Sequence, residues 1–311
     1  MKTILVPLDG SALAEAVLPY VRLLANTLGA RVRLLHVITE VDTPNPLAYD
    51  ISTLYSMSDV VAARQTSYHQ SLQALREHAE GYLASQAMRL KDDGIEVDLD
   101  ARFGAPPDMI VEVAEQRSVS LIAMATHGYS GLRRWALGSV TDRVVQATRT
   151  PVFVVRGNPE PHGEPELQRI LVPLDGSEFA RQALPLAADI AASAQAEIEL
   201  IQAIVPDMPP IDPVIPTSTE AQPALAVQRE HAAGELTAQA EQLARPGLPI
   251  KTAVATGYAA EVIVDEATRR RADLIVMATH GRGGLRRWAL GSVADKVLHA
   301  TTTPLILVRA Q

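Results

Sequence analysis

The chain of 311 residues contains no cysteine, which excludes disulfide bonds, thiolate nucleophiles and cysteine-ligated metal sites. Aromatic residues make up only 4% of it, so aliphatic side chains and alanine must fill the core, and few rings remain for stacking on bases. Positive charge is also in deficit, because the formal net charge is −8 and nucleic-acid binding requires a basic face. We therefore expect no nucleic-acid partner.

Long apolar runs are missing as well. No stretch approaches the roughly 18 consecutive apolar residues of a membrane-spanning helix. The apolar run near the N-terminus, Ile4 to Val6, is too short for the core of a signal peptide. These absences predict a soluble, cytoplasmic protein with no membrane partner.

The sequence does contain an internal repeat. The octapeptide at 4–11 returns at 170–177, and an identical Gly-Leu-Arg-Arg-Trp-Ala-Leu occurs at 131–137 and at 284–290. A repeat of this length indicates two whole domains rather than a solenoid. We expect a first domain over 1–156, a proline-containing linker over 157–168 and a second domain over 169–311.

Each half alternates short apolar, β-branched runs with helical patterns, which is typical of an α/β fold with a parallel sheet covered on both faces. In the first half the predicted strands are Thr3–Leu8, Val32–Val37, Val97–Phe103, Leu121–Ala125 and Val152–Val155. The predicted helices are Ser11–Leu28, Ser58–Leu90, Asp108–Gln116 and Ser139–Ala147. Proline-containing segments at 39–57 and 206–223 predict loops.

A glycine-containing loop follows the fourth predicted strand of each half. Gly128 is followed after nine residues by Gly138-Ser139, and the second copy has Gly281 and Gly291-Ser292 at the same spacing. Such a loop suits a phosphate, because glycine lets backbone N–H groups approach the anion at a helix N-terminus. The structural alternative is a turn with a capping box, since Ser139 and Ser292 each precede an aspartate by three residues. The near identity of the two loops favours phosphate binding.

Asp9 ends the first strand, at the sheet edge where the glycine loop also lies, and Asp175 repeats it. The carboxylate could accept hydrogen bonds from a ribose or a base, or it could form an Asx turn that caps the next helix. His127 and His280 lack companions at ligand spacing, so no metal site is expected. The arginine pairs at 133–134 and 286–287 could reach phosphates or lie on a solvated helix face.

Signatures of several enzymes are absent. The sequence has no Gly-x4-Gly-Lys-Ser/Thr loop, no Gly-x-Ser-x-Gly elbow, and no Gly-x-Gly-x-x-Gly after the first strand. Paired catalytic carboxylates cannot be identified either, so no catalytic residue is predicted.

A strand ending in Pro-x-Asp-Gly-Ser, together with a Gly-x2-Gly-x9-Gly-Ser/Thr loop, resembles the universal stress protein family in its tandem form. The resemblance covers almost the whole chain. It implies two open five-stranded parallel sheets of order 3-2-1-4-5 with helices on both faces, and ATP as the ligand. The residues that it assigns to the adenosine part are Asp9 and Val37, and in the second half Asp175 and Ala203. Those that it assigns to ribose and phosphates are Gly128, Gly138, Ser139 and Val140, and then Gly281, Gly291, Ser292 and Val293.

One motif position departs from the family pattern. Ala125 and Ala278 stand where the first motif glycine is expected. If that position required a positive φ, alanine would cost about 1 kcal/mol. If it required only room, the methyl group would be tolerated.

These observations predict a non-catalytic stress-response or regulatory protein that binds ATP with Mg²⁺ on its glycine loops. A slow ATPase or phosphotransferase would need a metal-holding carboxylate and a positioned base, and a nucleotide-free scaffold is the third reading. The last strands of the two halves, Val152–Val155 and Leu305–Val308, are apolar edges without charged protection. We expect them to pair, which would make the chain an intrachain pseudodimer; whether it also forms a homodimer stays open.

Overall fold

The computed structural model describes residues 2–39, 42, 58–126, 138–156, 164–205, 221–279 and 290–310, with the side chains of 58–67 and 221–224 excepted. The first half consists of β1 (Thr3–Pro7), α1 (Ala12–Glu15), α2 (Leu18–Leu28), β2 (Arg31–Ile38), α3 (Ser58–Lys91), β3 (Val97–Phe103), α4 (Pro106–Gln116), β4 (Leu121–Thr126), α5 (Ser139–Ala147) and β5 (Val152–Arg156). The second half consists of β6 (Arg169–Leu174), α6 (Glu178–Arg181), α7 (Leu184–Ala194), β7 (Glu197–Ile204), α8 (Ala221–Leu243), β8 (Ile250–Thr256), α9 (Ala259–Arg270), β9 (Leu274–Ala278), α10 (Ser292–Ala300) and β10 (Leu305–Val308).

The ten strands form one sheet of order β3-β2-β1-β4-β5-β10-β9-β6-β7-β8. The first half therefore has the predicted order 3-2-1-4-5, and the second half repeats it, which confirms the predicted fold class. Neighbouring strands within each half are parallel. The two last strands, β5 and β10, pair antiparallel with Phe153 opposite Ile306, so both apolar edges are covered.

The helix predicted over 11–28 is in fact two helices, α1 and α2, with a break at residues 16 and 17. Pro19 lies in the first turn of α2. A proline inside a continuous helix would remove one backbone hydrogen bond and clash with the preceding turn, so the chain starts a new helix there. Pro185 has the same place in α7. Gly29 ends α2 in the left-handed conformation, with φ of 58°.

The other element boundaries agree with the predictions to within a few residues. α4 begins at Pro106 rather than at Asp108, because proline is well suited to the first helical position. α8 begins at Ala221, so the loop predicted over 206–223 is shorter than expected at its end. Most of the loop predicted over 39–57 lies outside the described residues.

Helices cover both faces of the sheet because successive strand residues point to opposite sides. Leu34 packs in one core cluster with Val21 of α2 and Leu83 of α3. Its neighbour Leu35 packs in the other cluster, with Ile110 of α4 and with α5. All five of these side chains are buried. We name the two sides the α2/α3 face and the α4/α5 face, and the second half repeats them with α7/α8 and α9/α10.

Candidate functional site

A cavity of about 240 Å³ opens at the carboxyl ends of β1 and β4. These strands are adjacent, and the strand order reverses between them. Such a switch point is where open α/β sheets bind ligands. The walls come from β1 and the turn after it, from β2, from β4, and from the first turns of α1, α4 and α5.

Five residues predicted from the sequence line this cavity: Asp9, Val37, Gly138, Ser139 and Val140. They lie up to 131 residues apart in the sequence, and the parallel sheet brings them to one edge. Gly128, His127 and the arginine pair at 133–134 lie outside the described residues.

The cavity is mostly apolar, and several wall residues were not predicted. They are Leu13 and Ala14 of α1, Leu35 of β2, Pro106 and Ile110 of α4, and Met124 of β4. The order of strands and helices in the sequence could have indicated the α4 residues. Every strand of a parallel sheet ends at the same edge, so the helix after β3 must begin beside the cavity. An apolar cavity with a few polar groups at fixed places is the usual form of a small-molecule site.

Asp9 forms the Asx turn that was the structural alternative. Its Oδ1 accepts hydrogen bonds from the N–H of Ser11 at 2.9 Å and from the Ser11 hydroxyl at 2.6 Å. The Ser11 Oγ in turn accepts from the N–H of Ala14 at 3.1 Å and caps α1. Asp175 and Ser177 repeat this arrangement in the second half. The turn holds Asp9 in place at the cavity. Because a carboxylate has further acceptor sites, part of its hydrogen-bonding capacity is left for a ligand.

The capping box that was the structural alternative at Ser139 and Ser292 is not formed. The N-cap of α5 is Gly138, whose carbonyl oxygen accepts from the N–H of Asp142 at 3.0 Å, and Ser139 is the first helical residue. α10 begins in the same way at Gly291 and Ser292. Among the described residues, neither helix has a side-chain capping hydrogen bond at its N-cap, which is glycine in both. The first N–H groups of α5 therefore lie at the cavity wall without the side-chain acceptor that a capping box would supply.

The backbone at Gly138 is ordinary, with φ of −60° and ψ of 137°. Any residue adopts this conformation, so a positive φ is not the reason for glycine here. Ala125 is likewise free of strain, because it lies within β4 opposite Val155 and is absent from the positive-φ residues.

The second half places the corresponding residues at the same topological positions. Asp175 directly follows β6, Ala203 lies in β7, and Gly291 precedes α10 with Ser292 and Val293 in its first turn. Ala203 and Val293 both pack against the core of the α9/α10 side. The N–H of Gly291 donates to the carbonyl oxygen of Thr279 at 2.7 Å. Gly281, His280 and the arginines at 286–287 lie outside the described residues.

Two further searches cover only the part of the chain that the structure describes. In it, no helix combines the length and the apolar character needed to cross a membrane. The same residues hold no group of three or more histidine, aspartate or glutamate side chains placed to bind a metal ion.

Comparison with known proteins agrees with the repeat and the fold. A model of the Universal stress protein family matches residues 1–156 and again 166–309. A universal stress protein of Mycobacterium tuberculosis is 30% identical over 227 residues, which cover 70% of each chain. One from Mycolicibacterium smegmatis is 26% identical and spans 98% of this chain and 96% of its own. The crystal structure of a universal stress protein from Archaeoglobus fulgidus shares the fold, with a TM-score of 0.67 and 21% identity over 99% of this chain and 98% of that one. With both halves matched by one family, the chain belongs to the universal stress protein family as a tandem member.

Proposed function

We propose that this protein binds an adenine nucleotide, with ATP as its main ligand, and acts in a stress response as a non-catalytic regulator. The observation that carries the proposal is the cavity at the β1–β4 switch point, which has apolar walls, a fixed carboxylate and a helix N-terminus that its N-cap glycine leaves without a side-chain cap. These are the three kinds of group that a base, a ribose and a phosphate chain require.

The chemistry of the walls indicates how the nucleotide would lie. An adenine ring suits the apolar surface of Leu35, Val37 and Met124. Asp9 can accept hydrogen bonds from the sugar hydroxyls. The N–H groups at the start of α5, at Ser139 and Val140, together with the positive end of the helix dipole, suit the phosphates. Gly128, which precedes this turn in the glycine loop, is proposed as a further phosphate contact.

Mg²⁺ is proposed to enter with the nucleotide. Mg²⁺ usually keeps several waters and is held by substrate phosphates with one or two carboxylates, rather than by a cage of protein ligands. The cavity offers one carboxylate among its described wall residues, Asp9. When bound, the ion would neutralise phosphate charge.

The second half is proposed to bind a second nucleotide through the repeated residues. Asp175 and Ala203 would contact the adenosine part, and Gly281, Gly291, Ser292 and Val293 would hold ribose and phosphates. The support is the matched position of the described members of this set, which exclude Gly281, in the second sheet half, and the same glycine N-cap at the start of α10.

Slow ATP hydrolysis is the second candidate, and the geometry favours it less. Phosphoryl transfer requires a group that positions the attacking water beside the metal and phosphates. Asp9 is the one acidic residue among the described wall residues, and its Oδ1 is engaged by Ser11. A scaffold that binds no nucleotide is the third candidate, and nucleotide released from the purified protein would exclude it.

We also propose that the two halves, with the boundary at residues 157–168, act as a stable intrachain pseudodimer. Besides the β5–β10 pair, each half supports the last helix of the other. Arg309 donates to the carbonyl oxygens of Gln146 and Thr148 at the end of α5, at 2.9 and 3.0 Å. Arg156 donates to the carbonyl oxygen of His299 at the end of α10. Cations at helix C-termini are stabilising, and fusion in one chain raises the effective concentration of the partners.

Mass spectrometry of the small molecules released from denatured, untagged protein tests the proposed function. We expect ATP or another adenine nucleotide at up to two molecules per chain. Incubation with ATP over hours, with ADP measured, separates the regulator from the slow ATPase. Protein that carries no nucleotide and takes none up when ATP is supplied would contradict the proposal.

A further inference from the structure

A second cavity, of about 130 Å³, lies in the second half on the α7/α8 side of the sheet. Its walls are Leu174, Gly176, Arg181, Gln202, Glu235 and Leu236, with Ala238 and Gln239 at the edge. Leu174 and Leu236 belong to the core of the α2/α3 and α7/α8 side, whereas the residues proposed for the second nucleotide, such as Ala203, belong to the opposite side. The cavity is therefore separate from the nucleotide site.

The same place in the first half is filled by the ring of Tyr82. Its hydroxyl donates to Glu15 Oε1 at 3.0 Å, and its ring meets His36 edge-on at 5.8 Å between centroids. Burial, and then the bond to Glu15, raises the pKa of Tyr82 above its ordinary value. The hydroxyl is thus a neutral donor to Glu15.

The residues around this place have changed in the second half. Glu15 and Arg181 both lie six residues after the first-strand aspartate. His36 and Gln202 each follow the residue of the second strand that pairs with the first-strand proline.

The third exchange is on the long helix. Tyr82 and Glu235 each precede a fully buried leucine, Leu83 in α3 and Leu236 in α8. The exchange of Tyr82 for Glu235 removes a partly buried aromatic ring that packs against the core. A cavity of roughly 150 Å³ can hold benzene, so the second-half cavity is close to the size of the missing ring.

The polar groups left around the cavity satisfy one another only in part. Gln202 is 7% exposed, and its amide oxygen has no hydrogen-bond partner among the described residues. Its Nε2 faces Glu235 Oε2 at 3.5 Å, and turning the amide over would bring two oxygens together. Buried polar atoms are nearly always paired in folded proteins. Gln202 Oε1 therefore calls for a donor from a bound molecule.

The exchange of Glu15 for Arg181 has a second consequence. Where the first half has an acceptor for the ring's hydroxyl, the second half has a donor. Arg181 Nη2 donates a hydrogen bond to Glu178 Oε2 at 2.6 Å. A guanidinium has five N–H donors, so others are left for a bound molecule. A molecule in the cavity should then present an acceptor to Arg181 and donors to Gln202 and Glu235.

We infer that the second-half cavity binds a small planar aromatic molecule carrying a carboxamide or lactam group. The ring replaces that of Tyr82 between Leu174 and Leu236. The carbonyl oxygen accepts from Arg181, and the amide N–H groups donate to Gln202 Oε1 and to the Glu235 carboxylate. This inference does not depend on nucleotide binding, because the site is on the other face of the sheet.

Benzamide is the probe for this site, and the full-length chain is the sample. We expect titration with benzamide to shift the side-chain amide resonance of Gln202 and to saturate at millimolar concentration. Benzoate, which has no N–H and places a second anion near Glu235, should bind at least about tenfold more weakly. No saturable benzamide binding by the wild type would overturn the inference.

The variant Glu235→Tyr restores the first-half ring and should abolish benzamide binding while ATP binding stays unchanged. Val227→Tyr is the matched control, because it adds the same ring on α8 at a position that is 66% exposed. If Glu235→Tyr does not fold, Gln202→Leu keeps the volume, removes the unpaired oxygen and should weaken benzamide at least about tenfold. Unchanged benzamide binding by a folded Glu235→Tyr or Gln202→Leu protein would show that the molecule binds elsewhere.

Discussion

At the scale of single residues, Gly138 is the position where a side chain would most obstruct an anion. Its φ of −60° and ψ of 137° suit valine, so Gly138→Val should keep the fold. The branched side chain would stand beside the N–H groups of Ser139 and Val140 and abolish ATP binding at this site. Ser139→Ala should weaken ATP only a few-fold, because it removes one hydroxyl. The check is titration calorimetry with circular dichroism as the folding control; a folded Gly138→Val protein that binds ATP normally would leave the loop only a structural role.

Asp9 links the Asx turn to the proposed adenosine contact. Asp9→Ala removes the acceptor of two Ser11 hydrogen bonds and should lower the free energy of unfolding by about 1 kcal/mol. It should lower the affinities for adenosine and for ATP by the same factor. The loss of ATP affinity should be smaller than in Gly138→Val and larger than in Ser139→Ala. Asp9→Asn is the control, because it keeps an oxygen for Ser11 and loses only the charge. A loss of ATP affinity with unchanged adenosine affinity would assign Asp9 to the phosphates instead.

Some residue roles could be predicted from the sequence and others could not, for physical reasons. The position of Asp9 in the fold follows from its place directly after a strand. Its two proposed roles, the Asx turn and the adenosine contact, both require it at this carboxyl edge of the sheet. The helix start at Gly138 could not be separated from one at Ser139, because glycine and serine differ by only a few tenths of a kcal/mol as N-caps. Whether Ala125 was strained depended on its backbone angles, which its membership of β4 decides.

At the scale of elements, strands and helices followed their apolar patterns closely, since burial on two faces leaves a strong signal. The split between α1 and α2 was missed although Pro19 marks it. The apolar periodicity continues across the break, because both pieces pack on the same core. The α4 wall of the cavity, including Ile110, was missed because its side chains carry no chemistry that a motif would show.

Arg309 of the second half donates hydrogen bonds to the end of α5 in the first half, so its replacement should destabilise the first half. Arg309→Ala removes two hydrogen bonds to the last carbonyl groups of α5 and should destabilise the protein by about 1 kcal/mol. Hydrogen exchange should report faster opening of α5 than of α10. Arg309→Lys keeps the charge and should recover part of the loss. Equal exchange of α5 in the wild type and in Arg309→Ala would show that this contact carries no stability.

At the scale of the whole molecule, the sequence predicted two halves and the pairing of their last strands, because apolar edges are rarely left exposed. The structure shows this pairing to be antiparallel. Separate expression of residues 1–156 and 169–311 tests how much the halves need each other. Each half alone would expose the edge of β5 or β10, so we expect each to form dimers, or the mixture to form a one-to-one complex. Analytical ultracentrifugation at high concentration is the measurement. Two stable monomers that do not associate when mixed would contradict the pseudodimer.

The central claim is that the glycine loops bind ATP, and calorimetry on nucleotide-stripped, full-length protein tests it most directly. We predict saturable heat with Mg²⁺ and ATP. We also predict a rise in unfolding free energy of about 2.7 kcal/mol per site when free ATP is about 100 times its Kd. Both effects should vanish in the folded double variant Gly138→Val/Gly291→Val. No heat and no thermal shift from the wild type at millimolar ATP would contradict the account.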